Sequence, residues 1–230
     1  MIAFVLSFAL AAAPIAATLR DAAHAYESRD YGAAERGYAA ALAGGAESAD
    51  LEYDLGTAAA QAGDLGQAVL HLERALSLAP WDGDVRQNLE RLRERRLDKV
   101  VGEELGDGPL QRLLRGLPVA PLGWSFALLW LTGVALFWRR RRGLGLASGA
   151  LALAALALSL GARATRAEPY AVVTAPVAEV HTGPDRSLRA TFELHEGTKV
   201  RLERTEAGLA QVRLANGLEG WIEAKSAERI

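Results

Sequence analysis

The sequence predicts a multi-domain membrane protein in three parts: an α-helical repeat array, a two-helix transmembrane hairpin and a small all-β barrel. Three observations carry this prediction. Two uncharged apolar runs, residues 122–138 and 143–162, flank Arg139-Arg140-Arg141-Arg142. Upstream, residues 18–100 repeat themselves at a spacing of 34 positions. Downstream, from Glu168, apolar residues recur at every second position between turn-forming residues.

The central pair of runs fixes the class. At 1.5 Å of rise per residue, each run approaches the roughly 30 Å thickness of a hydrocarbon core, the first with help from the uncharged residues 116–121. Two buried helices of a soluble protein could be this apolar, but four adjacent arginines could not be packed between them without many partners. Short loops rich in Lys and Arg stay on the cytoplasmic side. The outer flanks carry only Arg112 and Arg115 before the hairpin and Arg163 and Arg166 after it. The turn at 139–142 is therefore expected in the cytoplasm, with both flanking regions across the membrane. Trp124 and Trp138 fall near the two ends of the first span, where indole rings favour the headgroup layer; a plain lipid-facing role suits them equally.

Charge is distributed to match. Residues 1–100 hold ten Lys and Arg against fifteen Asp and Glu, a net −5; residues 101–166 hold eight against three, +5; residues 167–230 hold eight against ten, −2. The positive charge thus flanks the membrane, and neither soluble region has the basic surface that phosphate neutralisation demands, which excludes nucleic acid as a partner. The chain has no cysteine. Disulfides, thiolate catalysis and Cys-based zinc sites are excluded with it, while the redox compartment stays open.

Residues 1–17 read as a secretory signal: an apolar run from Ile2 to Ala13, then small residues up to Ala17. Cleavage near Ala17 and retention as an anchor both carry the following region across the membrane. In residues 18–100, Tyr31, Ala34, Tyr38 and Ala41 are followed 34 residues later by Leu65, Ala68, Leu72 and Ala75. The second copy also has Leu55-Gly56, Gly63-Asp64-Leu65 and Pro80; the first has Ala22 and Arg29-Asp30-Tyr31 at the matching places. This pattern resembles the tetratricopeptide repeat (TPR), a helix-turn-helix unit of this period. The expected boundaries are repeats at 15–48 and 49–82, then a capping helix at 83–99 started by Asp82 or Asp84, with Arg91, Arg93, Arg95 and Arg96 outward.

The TPR resemblance implies a concave face that holds a peptide or partner helix. By the repeat's register it would be lined by Leu19, Ala23 and Tyr26, then Tyr53, Thr57 and Ala60, then Gln87 and Arg91. The tyrosines could equally serve only to support neighbouring helices. Chaperone-binding members carry Lys and Asn where Leu19 and Ala23 stand, so that subfamily is excluded. Residues 101–121 read as a linker with one turn of amphipathic helix, Leu110 to Arg115, that could lie at the membrane surface.

From residue 168 to 230, five strand candidates appear at 171–173, 177–181, 198–203, 210–214 and 219–223. Asn216-Gly217 between two of them is a hairpin signal, since both residues accept φ > 0. Glu179-Val180-His181-Thr182-Gly183-Pro184, Glu196-Gly197-Thr198-Lys199-Val200 and Gly220-Trp221-Ile222 resemble the turns and closing hairpin of bacterial SH3-like (SH3b) domains. His181 replaces the usual Arg, and Leu209 stands where many members carry a Trp, which would blunt a ligand groove built on that indole. Trp221 reads as core.

No chemistry is evident. His24, His71, His181 and His195 are scattered without metal-ligand spacing, Ser187 lacks a glycine elbow, and Glu103-Glu104 sit in the linker. The order of signal, two TPRs, hairpin and SH3-like barrel resembles the BatE-type proteins of the Bacteroides aerotolerance (Bat) operons. That resemblance implies an inner-membrane protein with both soluble modules in the periplasm and no cofactor, acting as a scaffold beside von Willebrand A-domain membrane proteins and a MoxR-type ATPase. The alternative is a cell-envelope module whose SH3-like barrel binds peptidoglycan peptides.

Overall fold

The structure, a computed structural model, describes residues 2–98, 108–185 and 187–230, with side chains from residue 15 onward. Residues 101–107 of the expected linker and Lys99, the expected end of the capping helix, lie outside the described residues. The chain divides into two compact units, residues 1–105 with 169–230, and residues 106–168.

The first unit begins with five helices: α1 (Ile2–Glu27), α2 (Tyr31–Ala43), α3 (Ala49–Ala62), α4 (Leu65–Leu78) and α5 (Gly83–Arg95). Of the stretch read as a signal, 1–17, residues 2–17 form the first part of α1, and Ile15 and Leu19 pack against a core of Ala22, Ala34, Tyr38, Leu51 and Leu55. The helix boundaries follow local chemistry. Asp30, Ser48, Asp64 and Asp82 each accept a hydrogen bond from a backbone N–H of the first turn of α2, α3, α4 and α5, satisfying donors that a helix start leaves orphaned. Asp30 and Asp64 stand 34 positions apart, as do Ser48 and Asp82, so the caps recur at the period of the sequence. So does the left-handed residue between paired helices, Arg29 at φ 64° and Gly63 at φ 95°. Asp64→Ala is expected to lower stability by about 1 kcal/mol in urea unfolding.

The sheet of the same unit has seven strands: β1 (Tyr170–Val173), β2 (Val177–His181), β3 (Ala190–His195), β4 (Lys199–Glu206), β5 (Leu209–Arg213), β6 (Glu219–Glu223) and β7 (Ala227–Arg229). Their order is β3-β2-β6-β5-β4-β1-β7, and every pairing is antiparallel. The five strand candidates correspond to β1, β2, β4, β5 and β6. β3 and β7, the two edge strands, have no counterpart in the sequence reading: β7 is three residues long and too short to show a period, whereas Ala190, Phe192 and Leu194 of β3 do alternate with polar residues, a signal that the sequence reading passed over. The turns also differ from expectation. Ala207 (φ 51°) and Gly208 (φ 79°) form the two-residue hairpin with both φ positive, whereas Ala215-Asn216-Gly217 is a three-residue loop with only Gly217 left-handed (φ 86°), the other common hairpin geometry.

In sequence the helices and the sheet look like separate modules, but their contacts join them. Along β1, Ala171 and Val173 enter the sheet's own core with Val180, Val200, Val212 and Ile222, while Val172 enters the core of α3, α4 and α5 with Val69, Leu70 and Leu89. Alternation along the strand thus serves two cores at once. At the same seam the Lys199 ammonium donates to Glu73 at 2.7 Å, and Arg93 donates to the other Glu73 oxygen at 2.7 Å. Their side chains are 1 %, 2 % and 8 % exposed for Lys199, Glu73 and Arg93. Arg93 and Arg96, expected outward on α5, are therefore buried; each has a polar acceptor within reach, Glu73 for the first and the Gly197 carbonyl at 3.3 Å for the second. Asp98 completes the seam, accepting from the backbone N–H of His195 at 2.6 Å and the Thr198 hydroxyl at 2.9 Å.

The second unit contains α6 (Pro109–Arg115), α7 (Val119–Trp138) and α8 (Arg142–Arg166). The first span starts earlier than residue 122, since Pro118 caps it and Pro121 lies in its first turn, where no intrahelical N–H bond is lost. The second runs on past residue 162 to Arg166, and the connecting turn contracts to residues 139–141 with Arg140 left-handed at φ 62°. α7 and α8 pack through small residues: a Cβ on Gly133 would lie 3.1 Å from the Gly145 carbonyl oxygen, and Ser148 donates to the Leu129 carbonyl at 2.7 Å. Their mean hydropathies are 1.7 and 1.9, and only 6 % and 17 % of their apolar windows are buried. Both are long and apolar enough to cross a membrane.

Candidate partner-binding groove

Four of the five N-terminal helices contribute to one cavity of about 260 Å³. Tyr26 comes from α1, Tyr53, Thr57, Ala60 and Gln61 from α3, Leu72 from α4, and Asn88, Arg91, Leu92 and Arg95 from α5. Helical spacing explains the set: 53, 57 and 60–61 fall on one face of α3, and 88, 91–92 and 95 on one face of α5. A smaller cavity of about 140 Å³ shares Ala60, Leu92 and Arg95 and adds Gly63 and Leu65 at the turn between α3 and α4.

Its polar groups are held in order. Asn88 donates to the Tyr53 hydroxyl at 2.8 Å, and Arg91 donates to the Asn88 carbonyl oxygen at 3.1 Å. Tyr26 meets Tyr31 edge to face with ring centroids 5.4 Å apart. Burial, aided by the negative charge of Asp84 and partly opposed by the Asn88 hydrogen bond, pushes the Tyr53 hydroxyl above its usual pKa. It therefore stays a neutral phenol throughout the physiological range. The lining combines apolar ring faces with two amides, Gln61 and Asn88, and two guanidinium groups, Arg91 and Arg95.

Of the residues chosen from the sequence register, Tyr26, Tyr53, Thr57, Ala60 and Arg91 line the cavity. The other three lie elsewhere: Leu19 packs against the core below α2 and α3, Ala23 is half-buried on α1, and Gln87 is exposed. Gln61, Leu72, Asn88, Leu92 and Arg95 are the additions. The Gln87/Asn88 difference is one of phase. With Asp82 as the cap, α5 turns Asn88 to the groove and leaves Gln87 about 100° away. Both Asp82 and Asp84 were compatible with the sequence.

Three of the four histidines are occupied. His71 Nδ1 lies 2.6 Å from Glu52 between α3 and α4, His195 Nδ1 lies 2.9 Å from Asp98, and His181 Nδ1 lies 2.8 Å from the Leu188 carbonyl. Among the described residues no three His, Cys, Asp or Glu side chains gather as a metal site. Trp221 is 4 % exposed with the Arg204 guanidinium 5.1 Å from its ring centroid, and Leu209 is buried at the start of β5.

No family model matches the chain, and no curated protein matches it. Among solved structures it is similar to NlpC2 from Trichomonas vaginalis, with 24 % identity, a TM-score of 0.26 and coverage of 27 % of this chain. The chain spans only a quarter, 25 %, of that protein.

Proposed function

We propose that this chain is a non-enzymatic scaffold of the BatE type, anchored by the α7–α8 hairpin, which holds a protein partner in the groove between α1, α3 and α5. In this reading α1 to α4 are two tetratricopeptide repeats capped by α5, and the sheet is an SH3-like domain. The observation that carries it is the convergence of Tyr26, Tyr53, Thr57, Ala60 and Arg91 on one cavity, because those positions were chosen from the repeat register alone. The recurrence of helix caps at the same period supports it as well.

Arg139, Arg140, Arg141 and Arg142 hold the turn in the cytoplasm. The sharing of one unit by the helices and the sheet supports a hairpin whose two ends emerge on the same side, which in this reading is the periplasm. Membrane proteins with von Willebrand A domains, working with a MoxR-type ATPase, are the partners that the resemblance implies. A photo-crosslinking residue at Thr57 of the full chain, in its native membrane, is expected to form an adduct with such a protein, weakened several-fold by Arg91→Glu. Adducts that survive Arg91→Glu unchanged, or none where a crosslinker in the outer face of β3 gives one, would sink the groove as the holding site.

A further inference from the structure

α7 and α8 meet at their glycines. A Cβ on Gly133 would lie 3.1 Å from the Gly145 carbonyl oxygen, and one on Gly145 would lie 3.0 Å from that of Gly133, so the two backbones touch and leave no room for a side chain at either. Gly149, about one turn further from Arg142, differs: a Cβ there would meet nothing within 4 Å. It lines a cleft of about 510 Å³ whose α7 side carries Trp130, Phe137 and Trp138. All ten lining residues are apolar or glycine, and the volume falls in the range of small-molecule sites, roughly 300–1,000 Å³.

One end of this cleft is charged. The Arg142 guanidinium lies over the Phe137 ring, 5.9 Å from its centroid, so a cation stands on a wall of the cleft itself. Arg139, Arg140 and Arg141 form the adjoining turn. No Asp or Glu occurs between Gly108 and Ala167 to offset these four charges. The carboxylates of this unit, Asp107 and Glu168, come before α6 and after α8, so roughly 30 Å of helix separates each from the turn.

We propose that the cleft holds one acyl chain of an anionic phospholipid whose phosphate meets the arginines of the turn. This rests on the membrane-spanning reading of α7 and α8. An apolar depression left empty in a bilayer forfeits the dispersion contacts of its lining, so something occupies it. Two observations select a lipid over the helix of another protein. Spans that associate do so through small residues that let backbones approach, whereas the α7 side of this cleft is aromatic, with Trp138 84 % exposed. The charge at one end also calls for an anion joined to an apolar chain. Guanidinium groups match phosphate oxygens in pairs, and basic pockets between spans are favoured sites for anionic headgroups.

The full chain would be reconstituted in phosphatidylcholine vesicles with trace phosphatidylglycerol or phosphatidylcholine, each spin-labelled near the end of one acyl chain. The motionally restricted fraction is expected to be several-fold larger for phosphatidylglycerol. Gly149→Leu, which fills the cleft where a Cβ meets no neighbour, should bring it down to the phosphatidylcholine level, with Gly149→Ala in between. Arg142→Gln should lower the phosphatidylglycerol excess and leave the phosphatidylcholine fraction as it was. Leu128→Ala, at an exposed position that does not line the cleft, should change neither. Equal fractions for the two lipids overturn the proposal, and an excess that survives Gly149→Leu overturns the cleft as its site. If Gly149→Leu loses helical circular dichroism, Gly149→Ala combined with Arg142→Gln decides, since the excess should then vanish in a folded chain. No excess, together with a disulfide dimer formed by Gly149→Cys, would assign the cleft to a second copy instead. A chain that fails to float with the vesicles removes the membrane reading and this inference together.

Discussion

Replacing Glu73 by alanine is expected to destabilise the unit of helices and sheet by about 3–5 kcal/mol, because it leaves the Lys199 ammonium and the Arg93 guanidinium buried without their shared carboxylate. Lys199 has no route to water, being 1 % exposed at its side chain, so the loss cannot be relieved by a rotamer change. Urea unfolding measures it. A triple variant, Glu73→Leu with Lys199→Met and Arg93→Met, removes all three charges and fills similar volume; it should recover most of the loss, as apolar replacement of buried ion triads does. If Glu73→Ala cost under 1 kcal/mol, the seam would be wetter and looser than its geometry implies.

The same carboxyl dictates a pH response. Burial alone would raise its pKa, but the charges and hydrogen bonds of Lys199 and Arg93 outweigh burial and lower it from 4.5 to about 2. A depressed carboxylate pKa contributes stability that is fully present above the unfolded value and is lost as pH falls through the folded one. The contribution of Glu73 should therefore fade between about pH 4.5 and pH 2. Asp98 adds in the same direction: burial raises its pKa, but hydrogen bonds from His195 and Thr198 prevail and lower it. The triple variant should lose the Glu73 share of this acid sensitivity and keep that of Asp98.

This seam was not legible in the sequence, and the reason is physical. Glu73 and Lys199 are 126 residues apart, and a charged residue on an amphipathic helix ordinarily faces water, so Arg93 and Arg96 read as a solvated face. What the sequence did carry were signals of short range. Uncharged length marked α7 and α8, and Asp82 or Asp84 marked the start of α5. The 34-residue spacing of Ala34 and Ala68, and of Ala41 and Ala75, marked the helix pairs. β3 was missed although it was legible: Ala190, Phe192 and Leu194 alternate with Thr191, Glu193 and His195, the period of two that marks a half-buried strand. The groove was partly legible for the same reason that its error was: a 3.6-residue period places whole faces correctly but turns by about 100° for each residue of register, which is what separates Gln87 from Asn88.

Gly220 was visible in the sequence as part of Gly220-Trp221-Ile222, but its role there was only a pattern; the structure supplies the cause. A Cβ at this position would overlap Val180 Cγ1 and come 3.1 Å from the His181 carbonyl oxygen. β6 crosses β2 here, with Trp221 opposite His181, so the two backbones cannot separate without breaking that pairing. Val180 cannot turn away either, since it is fully buried and β-branched side chains have few alternative rotamers. Gly220→Ala is therefore expected to cost about 3 kcal/mol, the upper end for overpacking a core. Val180→Ala by itself should cost roughly 2 kcal/mol through the cavity it opens. In the double variant the new methyl occupies part of the space that Val180 vacates. The pair should then be less destabilised than the sum of the single changes by at least 1 kcal/mol, a coupling that a double-mutant cycle resolves. Strict additivity would mean that Gly220 is required for backbone conformation rather than for closeness. Its φ is not in the left-handed region, so closeness is the cause that the geometry supports.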